Sequence, residues 1–285
     1  MLIIWIFIIL LSIAWYTLLE RKTLGHTQLR IGPNKIRWIG HLQPILDGLK
    51  LILKENHIPY NKILLIYKFS PATAFVLILI LWAPLNLTPF FFSFQYACLF
   101  ILVQIGLIGY TILFRGWGST SKFASLGSIR IGSQSLSYEI ILIFLFLPSF
   151  ILSNSLSILI FYWKTVLLLI PLLLLWLITI LAECNRAPFD FSEGESELIS
   201  GFNIEYRRVN FTLLFLSEYG SILAFSWITS TLFNAQTWLT FLIVFSFFLF
   251  IRTSLPRYRY DMLMQLCWMT ILPIRLLFLL LRYII

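Results

Sequence analysis

Charge is what this chain of 285 residues has least of. Asp, Glu, Lys and Arg together make up 12% of it, about half of the roughly 25% usual in a soluble globular domain. Hydrophobic residues make up 60%. A chain so poor in polar groups can bury a core but cannot cover that core for water, so a soluble globule is excluded and lipid is the expected solvent. Cysteine is scarce as well. Cys98, Cys184 and Cys267 form no paired spacing, which argues against a disulfide framework or a zinc site, and they read as small apolar fillers. The three histidines, His26, His41 and His57, fall in one early stretch at spacings that suit no helical metal pair, and read as solvated loop residues. There is no Gly-Lys-Ser/Thr phosphate loop or dinucleotide glycine pattern. No serine, histidine and acid arrangement points to hydrolysis. The net charge is +9, yet no basic run is interleaved with stacking aromatics, so nucleic acid is not an expected partner.

Long apolar runs are what the chain does have, and a run of about 18 or more residues can cross a bilayer. Eight stand out: Leu2–Leu19, Pro71–Leu87, Pro89–Phe114, Tyr138–Leu152, Thr165–Ala182, Phe211–Phe233, Trp238–Ile251 and Leu263–Tyr283. The first lacks the leading basic residues and small-residue cleavage site of a signal peptide and reads as a retained transmembrane helix. If the spans alternate, the first, third, fifth and seventh loops share one side and hold 18 of the 21 Lys and Arg residues. That partition supports eight spans, with both termini on the positive-poor side. The expected fold is all-α: one integral membrane domain over residues 1–285. "LQPILDGLKLILKE" (Leu42–Glu55) alternates apolar pairs with Asp47, Lys50 and Lys54 and suits an amphipathic helix at the membrane interface.

The few acids are placed unevenly. "ECNRAPFDFSEGESELISGFNIEY" (Glu183–Tyr206) holds six of the 12. Helical spacing would put Asp190, Glu193 and Glu197 on one face and Glu195 on another. The stretch can be read as a solvated acidic loop, a cation site or a packed loop; its many apolar residues favour the last. Ionisable groups within a membrane are costly and usually functional. Glu218 stands eight residues into the sixth span and must be protonated or partnered; a proton-handling role and an interhelical hydrogen bond are the two readings. Arg275, near the middle of the last span, also needs a polar partner. Glu20, Glu139 and Glu183 sit at helix ends on the same side, so a chain of coupled carboxylates is plausible. The Gly- and Ser-rich stretch Arg115–Glu139 reads as a loop.

Taken in order, "ERKTLGHTQLRIGPN", "LQPILDGLKLILKE", "SKFASLGSIR", "SQSLSYE", "NRAPFDFSEGESELISGFNIEY", "FLSEY" and "RTSLPRYRYDMLMQLCW" resemble the motifs of one family over essentially the whole chain. It is the membrane subunit of respiratory complex I at the junction with the peripheral arm, called subunit 1 in mitochondria, together with its bacterial counterpart. The resemblance implies eight transmembrane helices and a share in the tunnel by which ubiquinone enters. It implies no redox cofactor in this chain: NADH, FMN and iron–sulfur clusters would belong to partner subunits. By the same resemblance Glu20, Arg21, Arg30, Asp47 and Arg252 match positions near the quinone route. Glu139, Glu183, Asp190, Glu193, Glu195, Glu197 and Glu218 match acids that pass the quinone signal to proton-pumping subunits. The heavy use of Phe, Ile and Leu favours an organellar genome, hence the mitochondrial inner membrane with basic loops facing the matrix; a bacterial plasma membrane is the alternative. Against this stands a second reading, a proton or ion transporter acting alone, which would predict internal repeats and charges near the midplane.

Overall fold

The computed structural model describes residues 2–35, 40–55, 63–84, 96–153, 166–190, 206–234 and 238–284. Every regular element among them is helical. The order is α1 (Leu2–Thr27), α2 (Gln43–Leu53), α3 (Leu64–Leu81), α4 (Ala97–Ser119), α5 (Lys122–Ser153), α6 (Val166–Glu183), α7 (Arg208–Asn234), α8 (Trp238–Ser254), α9 (Tyr260–Gln265), a π-helical turn (Leu266–Ile271) and α10 (Leu272–Ile284). Helices dominate because a backbone without water must satisfy its own N–H and C=O groups, and a helix does so within one segment.

Among the described residues, five stretches are helical, long and apolar enough to cross a bilayer: Ile4–Thr27, Ala97–Ser119, Lys122–Leu147, Arg208–Leu232 and Tyr260–Phe278. Three shorter apolar helices, Leu65–Leu81, Leu173–Glu183 and Trp238–Ser254, fall in the other three apolar runs of the sequence. Boundaries shift from the sequence expectation. α3 begins seven residues before the expected Pro71 and carries that proline within it. The last apolar run is broken by the π-helical turn just before Pro273, where a proline without an N–H has no regular bond to give the preceding turn.

The largest correction concerns Arg115–Glu139. No loop of that length exists: α4 runs on to Ser119, Thr120 turns in the left-handed region (φ 54°), and α5 starts at Lys122. Glycine and serine signal loops in water, but between membrane helices they let backbones approach. A Cβ added at Gly116 would collide with Ser128 Oγ, and one added at Gly132 would lie 2.5 Å from a Leu113 methyl. The serine hydroxyls bond back to their own helices, as Ser128 and Ser135 do to the carbonyls of Ser125 (2.9 Å) and Gly132 (3.1 Å). His26 is likewise exposed but helical, in the last turn of α1.

α7 is the central helix. Its most apolar stretch is 67% buried, against 28% for that of α1, and it packs against α1, α2, α3, α6 and α8. Ile13 and Tyr16 of α1, Ile101 and Ile105 of α4, Tyr138 and Ile141 of α5, Trp176 and Ile180 of α6, and Leu223 and Ile228 of α7 belong to one buried cluster. α2 differs from the rest. None of its residues is buried; Leu42, Ile45, Leu46, Leu49, Ile52 and Leu53 expose one apolar face, as an interfacial helix requires. Its end is tied to the start of α7 by Arg208, whose Nε donates to the Ile52 carbonyl at 2.8 Å.

Candidate functional site

The site forms where α6 ends beside the middle of α7. The Cys184 N–H still bonds to the Ile180 carbonyl at 2.8 Å, and Asn185 then takes a left-handed conformation (φ 49°), which asparagine tolerates better than most residues. The reversal is fastened from outside. Gln134 of α5 donates to the Ala182 carbonyl at 2.7 Å, and the Tyr258 N–H donates to the Pro188 carbonyl at 3.0 Å. This geometry sends Arg186 back into the bundle.

Glu218 lies about 15 Å along α7 from its first residue, at ~1.5 Å per residue, deeper than the sequence count suggested. It has the partner that its burial demands. Arg186 Nη2 reaches Glu218 Oε2 at 3.2 Å, and Arg115 Nη1 lies 4.0 Å from Oε1. Arg115 comes from the stretch expected to be a loop and is only 2% exposed. Arg186 also lies over the ring of Tyr219, 4.2 Å from its centroid. The Tyr219 hydroxyl donates to Glu20 Oε2 at 2.6 Å, and Glu20 pairs with Arg252 of α8. One chain of contacts therefore runs Arg252, Glu20, Tyr219, Arg186, Glu218, Arg115 through four helices and the turn after α6.

A cavity of about 40 Å³ opens beside Glu218 and is lined by Arg115, Glu183, Asn185, Ser217 and Ser221 among others. That exceeds the roughly 10–15 Å³ needed to hold a water. Glu183 Oε2 and Asn185 Oδ1 are buried with no hydrogen-bond partner among the described atoms, so the cavity has acceptors to offer. Glu139 sits within electrostatic reach of Glu183. A smaller cavity on the other side of Cys184 is shared by Tyr16, Glu20, Arg186 and Arg252. Burial pushes the Cys184 thiol up, with the neighbouring Glu183 adding to it, so this cysteine stays neutral between the two cavities. At the start of α7, burial raises the Tyr206 phenol against the opposing effect of Ser70 and Arg115. Its hydroxyl donates to the Arg115 carbonyl at 3.3 Å and its ring stacks on Tyr67 at 4.5 Å, which anchors the helix bearing Arg115.

The residues matched to the quinone route divide into two groups. Glu20 and Arg252 join the buried chain. Arg21, the next residue on α1, points about 100° away and pairs with Asp47 of α2 at 2.6 Å. Gln43 donates to the other Asp47 oxygen at 3.0 Å. Arg21 and Arg30 line an open surface pocket with Lys35 and Gln43. Asp190 does not lie on a helix; it faces Arg257 at 3.3 Å. Glu193, Glu195 and Glu197 lie outside the described residues. Arg275 is buried, 2% exposed. Sequence reasoning missed Arg115, Arg186 and Tyr219. Arg115 was hidden by the loop reading, and Arg186 by standing beside the acids that drew attention. The signal for the two arginines was arithmetic: a carboxylate inside an apolar run needs a cation, and few stand near it.

Comparison with known proteins places the chain in a family. Residues 1–283 match the family model described as NADH dehydrogenase. The chain is 44% identical over 277 residues to NADH-ubiquinone oxidoreductase chain 1 of Artemia franciscana, covering 95% of this chain and 93% of that one. It is 42% identical to the protein of the same name from Didelphis virginiana, with 96% and 92% covered, and 40% identical to that from Aedes aegypti, with 94% and 89% covered. With the match spanning nearly every residue, the chain belongs to the NADH dehydrogenase family.

Proposed function

We propose that this chain is a core membrane subunit of a proton-translocating NADH:ubiquinone oxidoreductase. It spans the mitochondrial inner membrane eight times, with its basic loops toward the matrix and both termini on the opposite side. It forms part of the route by which ubiquinone reaches the peripheral arm, and its partners are the other subunits of that complex, which hold the flavin and iron–sulfur clusters. Ubiquinone is the substrate. The family membership and the names of the relatives support this assignment.

The observation that carries the coupling part of the reading is the contact chain from Glu20 to Glu218. A quinone takes up protons as it is reduced. Carboxylates held in low dielectric feel each other's charge strongly and titrate as a set rather than singly. A proton or charge change near Glu20 and Arg252 alters what Tyr219 and Arg186 face, and Arg186 carries the change to Glu218 through its ion pair. Glu183 and Glu139 continue the series across the cavity. Glu193, Glu195 and Glu197 share in the coupling by their match to the family's acidic motif. Arg21, Arg30 and Asp47 guide the quinone at the membrane surface. A transporter acting alone is the other reading; a preparation that co-purifies with a flavin- and iron–sulfur-containing assembly would reject it.

Glu218→Gln in the assembled complex tests the relay. Quinone reduction and proton transport should fall together, while NADH oxidation by a water-soluble acceptor stays normal. Unchanged quinone reduction and pumping would remove Glu218 from the mechanism.

A further inference from the structure

Gly106 and Gly109 stand on one face of α4, three residues apart, where it crosses α5. Elsewhere on this crossing the glycines serve packing: a Cβ at Gly116 would meet Ser128, and one at Gly132 would meet Leu113. Position 109 differs. A Cβ there would lie 3.3 Å from Glu139 Oε1 and 3.0 Å from Ser135 Oγ. A Cβ at 106 would lie 3.6 Å from Glu139 Oε2, an ordinary contact. The Glu139 carboxyl therefore rests against bare backbone, and its Oε1 is buried with no hydrogen-bond partner among the described atoms. Gly109 also lines the cavity that Glu183 and Glu218 share.

From this geometry we infer that Gly109 is a positioning residue: its lack of a side chain lets the Glu139 carboxyl rest against the stretch of α4 backbone that lines the Glu183–Glu218 cavity. Any side chain at 109 takes the space between this carboxyl and the α4 backbone. The Ser135 hydroxyl cannot easily give way, because it is buried and bonded to the Gly132 carbonyl at 3.1 Å. The crowding therefore falls on Glu139. The inference rests on the relay proposed above, in which Glu139 is a member.

The test compares G109A, G106A, E139Q and the double variant G109A/S135A in the assembled complex. Quinone-reductase turnover and proton transport are measured relative to NADH oxidation by a water-soluble acceptor, which reports assembled complex. G109A should lose quinone-linked turnover on the order of tenfold, within the range that misplacing a reacting group costs. G106A should stay near normal. The double variant relieves the contact with Ser135 and keeps the one with Glu139, so it should stay defective. Normal turnover in G109A, or recovery in the double variant, overturns the inference even when E139Q is defective. Normal turnover in E139Q sinks the relay at Glu139 and the inference with it. If G109A fails to assemble, the double variant carries the test alone. Failure of both to assemble would show a packing role and overturn the inference.

Discussion

Two ion-paired regions sit one residue apart on α1 and could hardly be less alike. Glu20 faces inward, buried, and joins Arg252, Tyr219 and Arg186 in a chain that ends at Glu218 and Arg115. Arg21 faces outward, its side chain 56% exposed, and pairs with an Asp47 that is itself 35% exposed. The distance within the outer pair is short, 2.6 Å, yet water and salt screen it. The inner charges are screened less, Glu20, Arg115 and Arg186 being buried while Glu218 and Arg252 keep partial exposure, so each depends more on its partner. What decides the worth of an ion pair here is its surroundings, not its separation.

Replacement of a buried cation should break this contrast most sharply. Arg115→Leu leaves Glu218 with one fewer counter-charge, and loss of a partner from a buried pair costs about 3–5 kcal/mol. The expected outcome is a large fall in the melting temperature or yield of the purified complex. Tyr219→Phe keeps the ring under Arg186 but removes the hydrogen bond to Glu20. A hydrogen bond to a charged group contributes about 1.5–3 kcal/mol, so a smaller fall in melting temperature is expected, together with slowed quinone reduction. Arg186→Lys keeps the charge and loses the flat guanidinium over Tyr219, a contact worth about 0.5–2 kcal/mol. It should be milder than Arg186→Gln in the same thermal assay.

At the outer pair, Arg21→Ala should cost no more than about 1 kcal/mol, and the difference should shrink as salt is raised. If Arg21→Ala matched Arg115→Leu in severity, the distinction between the two regions would fail. Asp47→Asn sharpens the functional side: changed affinity for quinone-site inhibitors with near-normal stability supports a place on the quinone route. Unchanged affinity and turnover would remove Asp47 from it.

Much of this arrangement could be read in the sequence, for definite reasons. Apolar runs mark helices in lipid because no other local structure satisfies the backbone there. The existence of α7 and α8, and the exposed apolar face of α2, follow from such patterns. Glu218 announced itself because a carboxylate inside an apolar run has no cheap explanation. The Arg115–Glu139 stretch misled for an equally definite reason. Its glycines and serines carry the same letters whether water or another helix lies beside them. Only the neighbours, Tyr67 and the facing residues of α4 and α5, turn them into a close-packed crossing.

The sequence alone determined that the chain is helical and apolar enough for a membrane, and that Glu218 needs a partner. It did so because hydropathy and charge act over a few neighbouring residues and need no knowledge of the rest. Which partners meet was decided by tertiary structure. Arg115 and Arg186 reach Glu218 from 103 and 32 residues away along the chain, and Tyr219 reaches Glu20 across 199. Local patterns carry no angle between helices, so they cannot say which of two adjacent residues, Glu20 or Arg21, turns toward the core. Packing of α1 against α7 and α8 settles that, and with it which charges share one buried chain and which remain at the surface.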